Sequence, residues 1–577
     1  MTALDKMQKS TLYRGPDASR TLSEQKEKWN LALGVNRLQI VDRNEQSNQP
    51  LVSACGNYVL AFNGEVYNYQ DLKNKLLTQG YQFNTASDTE VVLYWLQEFG
   101  TNGLSALKGM FALCYVNLPE RSLLIARDKQ GIKPLFFSFS QGQVVASSSI
   151  KAIKASGLVK LTQNLNAIHE YLAYRHVLGN HTFYKEVNTL APGHALLLAA
   201  DMSHTITPFI LNAKDQPTDI KTALITSLEL QFTGPSTPGL LLSGGVDSTL
   251  LLAILRNEMG VRGINSYTLE TREDTRWARK AAQQFASNHH EIQCSIEHLT
   301  SIDEFLDNTD QPIGDHGAFA TWLVAKEAAK DSKVLLSGAG ADELMGGYNR
   351  HRAYYYYLSN QHKVLFIKNM FVTLQLTGLL PNALKQFIKG VNADPAITYF
   401  NFLQNYAINR TSPNLLLFRN NSSPDGFMQE VLAFDQRNYL INDVLAITDN
   451  SLMQHSVEGR VPYLYDDVVE TSKRISIKEK MLQGGKGPLK ELLINYGGKT
   501  FSQRKKHGFG LPLADWFRKK ESLWLWEFMT KDSPIFNYVN KSTVYQFIRL
   551  HQQAKMDYSM QLWSILVLEK WLSEHSL

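Results

Sequence analysis

Short alternating or continuous apolar runs, separated by turn-forming residues, fill roughly the first 190 positions and predict a strand-rich segment. Val59-Leu60-Ala61-Phe62 runs into Asn63-Gly64-Glu65, and Phe111-Ala112-Leu113-Cys114-Tyr115-Val116 and Leu123-Leu124-Ile125-Ala126 read as core strands. Between them Thr89 to Phe99 keeps helical spacing, with Ser87-Asp88 placed to cap it. Two packed sheets with flanking helices fit this pattern. A polar connector near 200–220, carrying Asp201, Ser203, Asp215, Pro217 and Asp219, closes the segment. Beyond it strand-like runs such as Leu240-Leu241-Leu242, Ile264 to Leu269 and Val334-Leu335-Leu336 alternate with helical ones, including a helix through Trp277 to Phe285. That alternation predicts a doubly wound parallel sheet. Positions 350–440 read as helical and aromatic. Tyr354 to Tyr357 belongs to a packed helix, and so does Val364 to Leu380, whose Lys368, Asn369 and Gln375 interrupt any membrane span.

Composition bounds the class. At 577 residues the chain exceeds what one core supports, so at least two domains are expected. With 44% hydrophobic and 20% charged residues it has the balance of a soluble globular protein. A net charge of +5 is mild, and the short basic block Arg504-Lys505-Lys506-His507 lacks interleaved aromatics, so no nucleic acid and no membrane is an expected partner. Cys55, Cys114 and Cys294 form neither a zinc pattern nor a disulfide framework, which fits a reducing compartment. Met1-Thr2-Ala3-Leu4-Asp5-Lys6 carries an acid and a base where a signal peptide's apolar core would begin, so the expected location is cytoplasmic.

Chemistry enters at Leu240-Leu241-Leu242-Ser243-Gly244-Gly245-Val246-Asp247-Ser248-Thr249. A buried strand breaks into two glycines and then opens an apolar helix. Gly244 and Gly245 let the backbone approach a ligand, Ser243 and Ser248 flank them, and the helix start offers unpaired N–H groups to a phosphate. An acid among such amides is repelled unless a cation intervenes, so Asp247 reads as a Mg²⁺ ligand. A turn that only caps a helix would not need Gly-Gly and Asp together. Lys333 to Tyr348 repeats the pattern of strand, Ser337-Gly338 turn and Asp342. Two such turns at the carboxyl edge of one parallel sheet would place Asp247 and Asp342 around one phosphate chain, with a shared Mg²⁺. No Gly-Lys-Ser/Thr follows, so this is not a Walker A loop. Ser-Gly-Gly-Val-Asp-Ser resembles instead the pyrophosphate loop of enzymes that split ATP into AMP and pyrophosphate.

Arg14-Gly15-Pro16-Asp17, Arg37 to Asp42, Phe62 to Asn68, Ser87 to Glu90 and Ala126 to Leu135 stand in the order found in class II glutamine amidotransferase domains. Joined to the pyrophosphate loop, they make the chain resemble the glutamine-hydrolysing asparagine synthetase family from end to end. The resemblance implies an α/β multidomain fold. Residues 1–195 would form an αββα, Ntn-like amidotransferase sandwich, and 215–577 a synthetase domain on a doubly wound parallel sheet with added helices. It also implies that Arg37, Asn63, Gly64, Glu65 and Asp88 hold glutamine, and that Leu241 and Leu269 flank the nucleotide. Arg37 suits an α-carboxylate and Asp88 an α-ammonium, although Asn63-Gly64 also fits a hairpin turn and Asp88 a helix cap. Lys486, in Gly484-Gly485-Lys486-Gly487-Pro488, matches a lysine that contacts phosphate. The implied reaction is Mg·ATP adenylation of a carboxylate, aspartate in the parent activity, followed by attack of ammonia; the family is often dimeric, which leaves a homodimer open without the sequence deciding it. Glu458 and Arg460, in Ser456 to Leu464, fit a structural ion pair as well as a site.

The sequence also departs from the family. The family's nucleophile is an N-terminal cysteine on a first core strand, whereas Met1 to Tyr13 matches the helix before Arg-Gly-Pro-Asp. None of the three internal cysteines carries the free α-amine that would act as base. Either the natural protein is longer than this start, which the intact pocket motifs and the missing strand favour, or free ammonia or another amine is used. Ala339, Gln311, Ser149 and Asn450 replace residues usual in the family and cluster around specificity. The absent cysteine together with Ala339 keeps open an amide or macrolactam synthetase of the β-lactam synthetase or lasso cyclase type; a rival in another class, a catalytically silent nucleotide-binding scaffold, would need damage in the ATP site, where Asp247, Asp342 and Lys486 are all present.

Overall fold

The computed structural model describes all residues except 1, 27–28, 141, 210–217, 233–236, 272–273, 374–380, 407–422, 505–508, 531 and 575–577. The first half contains α1 (Ala3–Ser10), β1 (Ala18–Lys26), β2 (Trp29–Arg37), β3 (Leu51–Val52), β4 (Tyr58–Val66), α2 (Tyr69–Thr78), α3 (Asp88–Phe99), β5 (Gly109–Asn117), β6 (Ser122–Arg127), β7 (Phe136–Ser140), β8 (Gln143–Ser147), α4 (Ile150–Ser156), β9 (Asn188–Thr189), β10 (His194–Leu198) and β11 (His204–Pro208). A six-stranded sheet runs β11-β10-β6-β5-β4-β3 and a three-stranded one β8-β7-β9. Side-chain alternation explains the layers. Leu60, Phe62 and Leu113 point to Leu72, Leu76, Val92 and Trp95 of α2 and α3. From the other face Ala112, Ile125 and Leu196 meet Phe137 of the second sheet. Phe136 and Val145, on the far side of that sheet, cover Ile150 and Ile153 of α4. The result is the expected helix–sheet–sheet–helix stack. β1 and β2 form a separate antiparallel ribbon from Ala18↔Arg37 to Lys26↔Trp29. The expected helix over the first residues is α1, tied to the ribbon by Asn36 Nδ2 donating to Gln8 O at 2.7 Å.

The second half is built on β12 (Gly239–Leu241), β13 (Asn265–Leu269), β14 (Asn288–Ile292), β15 (Val334–Leu336) and β16 (Glu458–Arg460). All pairs are parallel, in the order β14-β13-β12-β15-β16. The chain steps outward from β12 to β14 and then returns to place β15 on β12's other side. The order therefore reverses between β12 and β15, the position where open parallel sheets bind ligands. Helices Val246–Asn257, Asp274–Phe285 and Gly317–Ala328 make the crossovers.

Helix Asn349–Ser359 buries Tyr354 and Tyr357, as its aromatic run predicts, but leaves Tyr356 exposed. Helix Gln361–Thr373 packs through Val364 while Phe366 stands in solvent, so the expected packed helix is packed on one face only; positions 374–380 of that expectation lie outside the described residues. So do Asp215 and Pro217 of the polar connector, with the domain start at 215, and Lys505, Lys506 and His507 of the basic block. Among the described residues no helix is long and apolar enough to cross a membrane. Charges join the two halves: Arg14 to Asp449 at 2.7 Å, Lys129 to Asp466 at 2.5 Å and Lys108 to Asp467 at 2.8 Å.

Candidate active sites

At the reversal point β12 feeds Ser243, Gly244 and Gly245 into helix Val246–Asn257. Gly244 has φ +66°, and a Cβ there would come 2.4 Å from the Ala278 backbone nitrogen, so only glycine fits. Ser243 accepts from Gly245 N at 3.3 Å and donates its own N–H to Ser248 Oγ at 3.2 Å, closing the turn. β15 feeds Ser337 and Gly338 into the short helix Ala341–Met345, which carries Asp342. A Cβ on Gly338 would sit 2.9 Å from Asp247 Cβ, so the two turns are in contact. The structure thus brings together the two turns that the sequence analysis paired.

A third segment completes it. Lys486 lies between Gly485 and Gly487, in left-handed backbone at φ +60°. Its ammonium is 2.6 Å from Asp247 Oδ2 and 2.7 Å from Asp342 Oδ1. Burial works against its charge, yet the two carboxylates hold its pKa above the usual lysine range. Asp247 and Asp342 thus converge from separate loops on one cation-sized point, and oxygen donors of this kind fit Mg²⁺. Among the described residues no three His, Cys, Asp or Glu side chains group as a metal cluster. An ion held here would therefore take its other ligands from phosphate and water. Leu241 is half-buried beside the loop, whereas the Leu269 side chain is buried in the core, so only the former offers side-chain surface to a nucleotide. Arg504 also reaches the loop, donating to Ser243 O at 2.8 Å; the basic block held that residue, but composition alone gave it no role.

The second candidate site is a cavity of about 1250 Å³ between the two sheets of the first half, lined by Arg37, Asn63, Gly64, Glu65 and Asp88. Arg37 Nη1 donates to Asn48 Oδ1 at 2.8 Å and Nη2 to Asp42 O at 2.5 Å, which fix the guanidinium. Asn63 donates to Ser148 Oγ at 3.1 Å. Asn63-Gly64 lies within β4 and is not a hairpin turn. Gly64 has φ +143°, and a Cβ would meet Met110 O at 1.9 Å. Helix α3 is capped by Ser87, which accepts from Glu90 N. Asp88 instead accepts from Val66 N at 2.9 Å, and burial pushes its carboxyl up to about 6. Cys114 lies in the cavity wall, where burial raises its thiol to about 12. Protonated thiols are poor nucleophiles.

Sequence reasoning left Arg460 open. It is fully buried, donating from Nε to Glu458 Oε1 at 3.0 Å, from Nη1 to Gln231 O at 2.5 Å and from Nη2 to Glu65. Glu65 therefore turns its carboxylate across the domain boundary. Lys133 adds a contact to Glu458 at 3.6 Å. Burial pushes Glu65 up, Glu458 and Asp88 add to this, and Arg460 opposes them.

The substituted positions are accommodated locally. Ser149 donates to Asp310 Oδ1 at 2.6 Å, where an acid would repel. Gln311 accepts from Phe183 N at 3.3 Å, and Asn450 donates to Ala446 O at 3.2 Å. Ala339 lies partly buried against the apolar core beside the loop.

Two glycine turns meeting at the reversal point of a parallel sheet, joined to a layered sandwich with a polar cavity, fit the architecture of an ATP-dependent amide-forming ligase coupled to an amidotransferase domain. Comparison with known proteins agrees. The asparagine synthase family matches residues 219–573 and the glutamine amidotransferase domain family residues 1–209. Asparagine synthetase [glutamine-hydrolyzing] 1 of Bacillus subtilis (strain 168) is 26% identical across 99% of this chain and 93% of its own length. Asparagine synthetase B [glutamine-hydrolyzing] of Escherichia coli (strain K12) is 30% identical across 58% of this chain and 59% of its own. The chain belongs to the glutamine-hydrolysing asparagine synthetase family and is a ligase forming C–N bonds.

Proposed function

We propose that this protein converts aspartate to asparagine, releasing AMP and pyrophosphate and taking nitrogen from ammonia, and that the observation carrying this reading is the convergence of Asp247, Asp342 and Lys486 at the sheet reversal. The division is a glutamine amidotransferase domain over 1–195 and a synthetase domain over 215–577. Ser243, Gly244, Gly245, Ser248, Ser337 and Gly338 cradle the phosphates through backbone and hydroxyl donors. Asp247 and Asp342 hold Mg²⁺, which when bound neutralises phosphate charge. The substrate carboxylate attacks the α-phosphorus, the bond to the pyrophosphate oxygen breaks, and Lys486 offsets the charge that develops on the leaving group. Ammonia then displaces AMP from the acyl-adenylate, an easier exchange than loss of oxide.

In the first domain Arg37 and Asp88 recognise the two ends of an amino acid, with Asn63 and Gly64 beside them. Glu65 lines the same cavity while one of its oxygens accepts from Arg460, so it both faces the amino acid and ties the pocket to the synthetase domain. None of the three internal cysteines carries the free α-amine of the family's nucleophile, so the reading takes ammonia as the nitrogen source, and glutamine only if the natural N-terminus carries that cysteine. The test is asparagine formation from Mg·ATP and aspartate, with ammonium and glutamine supplied separately. Asparagine from ammonium supports the reading; no aspartate-dependent AMP from either would overturn it.

A further inference from the structure

Lys486 fills the point a divalent cation would take, and the geometry points to a latch: we propose that Lys486 is the resident counter-cation of the metal site, released only when nucleotide arrives. This rests on the reading of Asp247 and Asp342 as metal ligands given above. The ammonium lies 2.6 and 2.7 Å from one oxygen of each carboxylate. Mg²⁺ would approach these oxygens to about 2.0–2.1 Å, and two cations held by the same two carboxylates repel each other, so ion and ammonium compete for them. Two carboxylates this close also repel strongly without a cation between them. Cations therefore exchange at this point; they do not accumulate.

The fold is shaped around the lysine arm. At Gly347 a Cβ would come 2.0 Å from Lys486 Cε and 2.1 Å from Asp342 Oδ1, so glycine opens the channel the arm passes through. The base of the arm is fixed by Lys486 N donating to Met345 O at 2.9 Å. Its left-handed φ of +60° follows Gly484 and Gly485 at +77° and +99°, an uncommon backbone for a side chain to occupy. A fixed base with a four-carbon arm lets the ammonium leave the acids without moving the backbone. Nucleotide phosphates beside the loop are the natural acceptor for it. Metal and nucleotide then enter together: phosphate draws off the lysine, and the vacated carboxylates take the metal. Free metal alone meets a closed site.

Nucleotide-free full-length protein is titrated with Mn²⁺ and free ion is read by electron paramagnetic resonance. A latch closed nine-tenths of the time weakens apparent affinity about tenfold, so Lys486→Met should bind Mn²⁺ at least about tenfold more tightly than wild type. Lys486→Gln guards against a folding defect in the first variant and should gain similarly. Adding Asp342→Asn to either should abolish the gain. If both lysine variants fold and bind Mn²⁺ no better than wild type, the latch is wrong. A calorimetric titration with Mg·ATP separates this from the parent reading. Binding that survives Asp247→Asn and Asp342→Asn undamaged removes the metal site, and the latch with it. Binding that needs both acids, beside unimproved Lys486 variants, removes the latch alone.

Discussion

Arg460→Met provides a quantitative test of how the two halves are joined. Arg460 is fully buried, and its guanidinium serves Glu458, Gln231 O and Glu65. Methionine keeps much of the volume but strands two buried carboxylates and one carbonyl. Breaking a buried pair by removing one partner costs about 3–5 kcal/mol. Lys133, 3.6 Å from Glu458, screens one of the acids, so the lower end of that range is expected. At roughly 2 °C per kcal/mol for a large domain, thermal unfolding should fall by about 6 °C. Removing the stranded charge as well should recover much of this, so Glu65→Gln/Arg460→Met should be at least about 2 kcal/mol more stable than additivity of the single variants predicts. Differential scanning calorimetry under one buffer and scan rate reads all four proteins. A single variant within about 1 °C of wild type, or a double variant with fully additive loss, would refute the view that Arg460 and Glu65 are coupled across the boundary.

Gly64→Ala adds a methyl 1.9 Å from Met110 O at φ +143° and should cost about 2–4 kcal/mol through strain and overpacking; a change in urea midpoint near zero would contradict this. Gly347→Ala should push Lys486 off its line and lower aspartate-dependent ATP–pyrophosphate exchange by roughly a hundredfold, with unaltered exchange the contrary result. The Asp88 carboxyl, raised to about 6 by burial, holds an ammonium only when ionised, so glutamine affinity in calorimetry should fall as pH drops through about 6 and hold steady above it. The same shift has the opposite sign for stability. The folded state holds more protons than the unfolded one between the ordinary aspartate value of 3.8 and about 6. Stability should therefore decline as pH rises through that window, and Asp88→Asn should abolish both trends.

The two turns that meet at the sheet reversal are legible in the sequence because their parts are local. Leu240 to Leu242 followed by Ser243-Gly244-Gly245 spells strand, turn and helix start within a few residues, and Ser337-Gly338 with Asp342 repeats it. Short apolar runs between turn signals mark β4, β5 and β6, and Ser87 caps α3 as its position predicts. What stayed hidden depends on docking between distant segments. Arg460 meets Glu65 across 395 positions, and no periodicity records that distance. Asp88 was ambiguous because a residue at a helix start can cap its own helix or bond a neighbouring strand, and the approach of Val66 decides for the latter. The burial of the Leu269 side chain was not legible either, since it follows from helices covering both faces of the parallel sheet and not from any local pattern.

The most direct test of the central claim is pyrophosphate release from Mg·ATP by the purified full chain, with and without aspartate, and with the product identified by mass in parallel ammonium and glutamine reactions. Aspartate-dependent pyrophosphate with asparagine formed from ammonium, lost in Asp247→Asn and Lys486→Met, is the predicted result. Pyrophosphate release indifferent to aspartate, or undiminished in those variants, would contradict it.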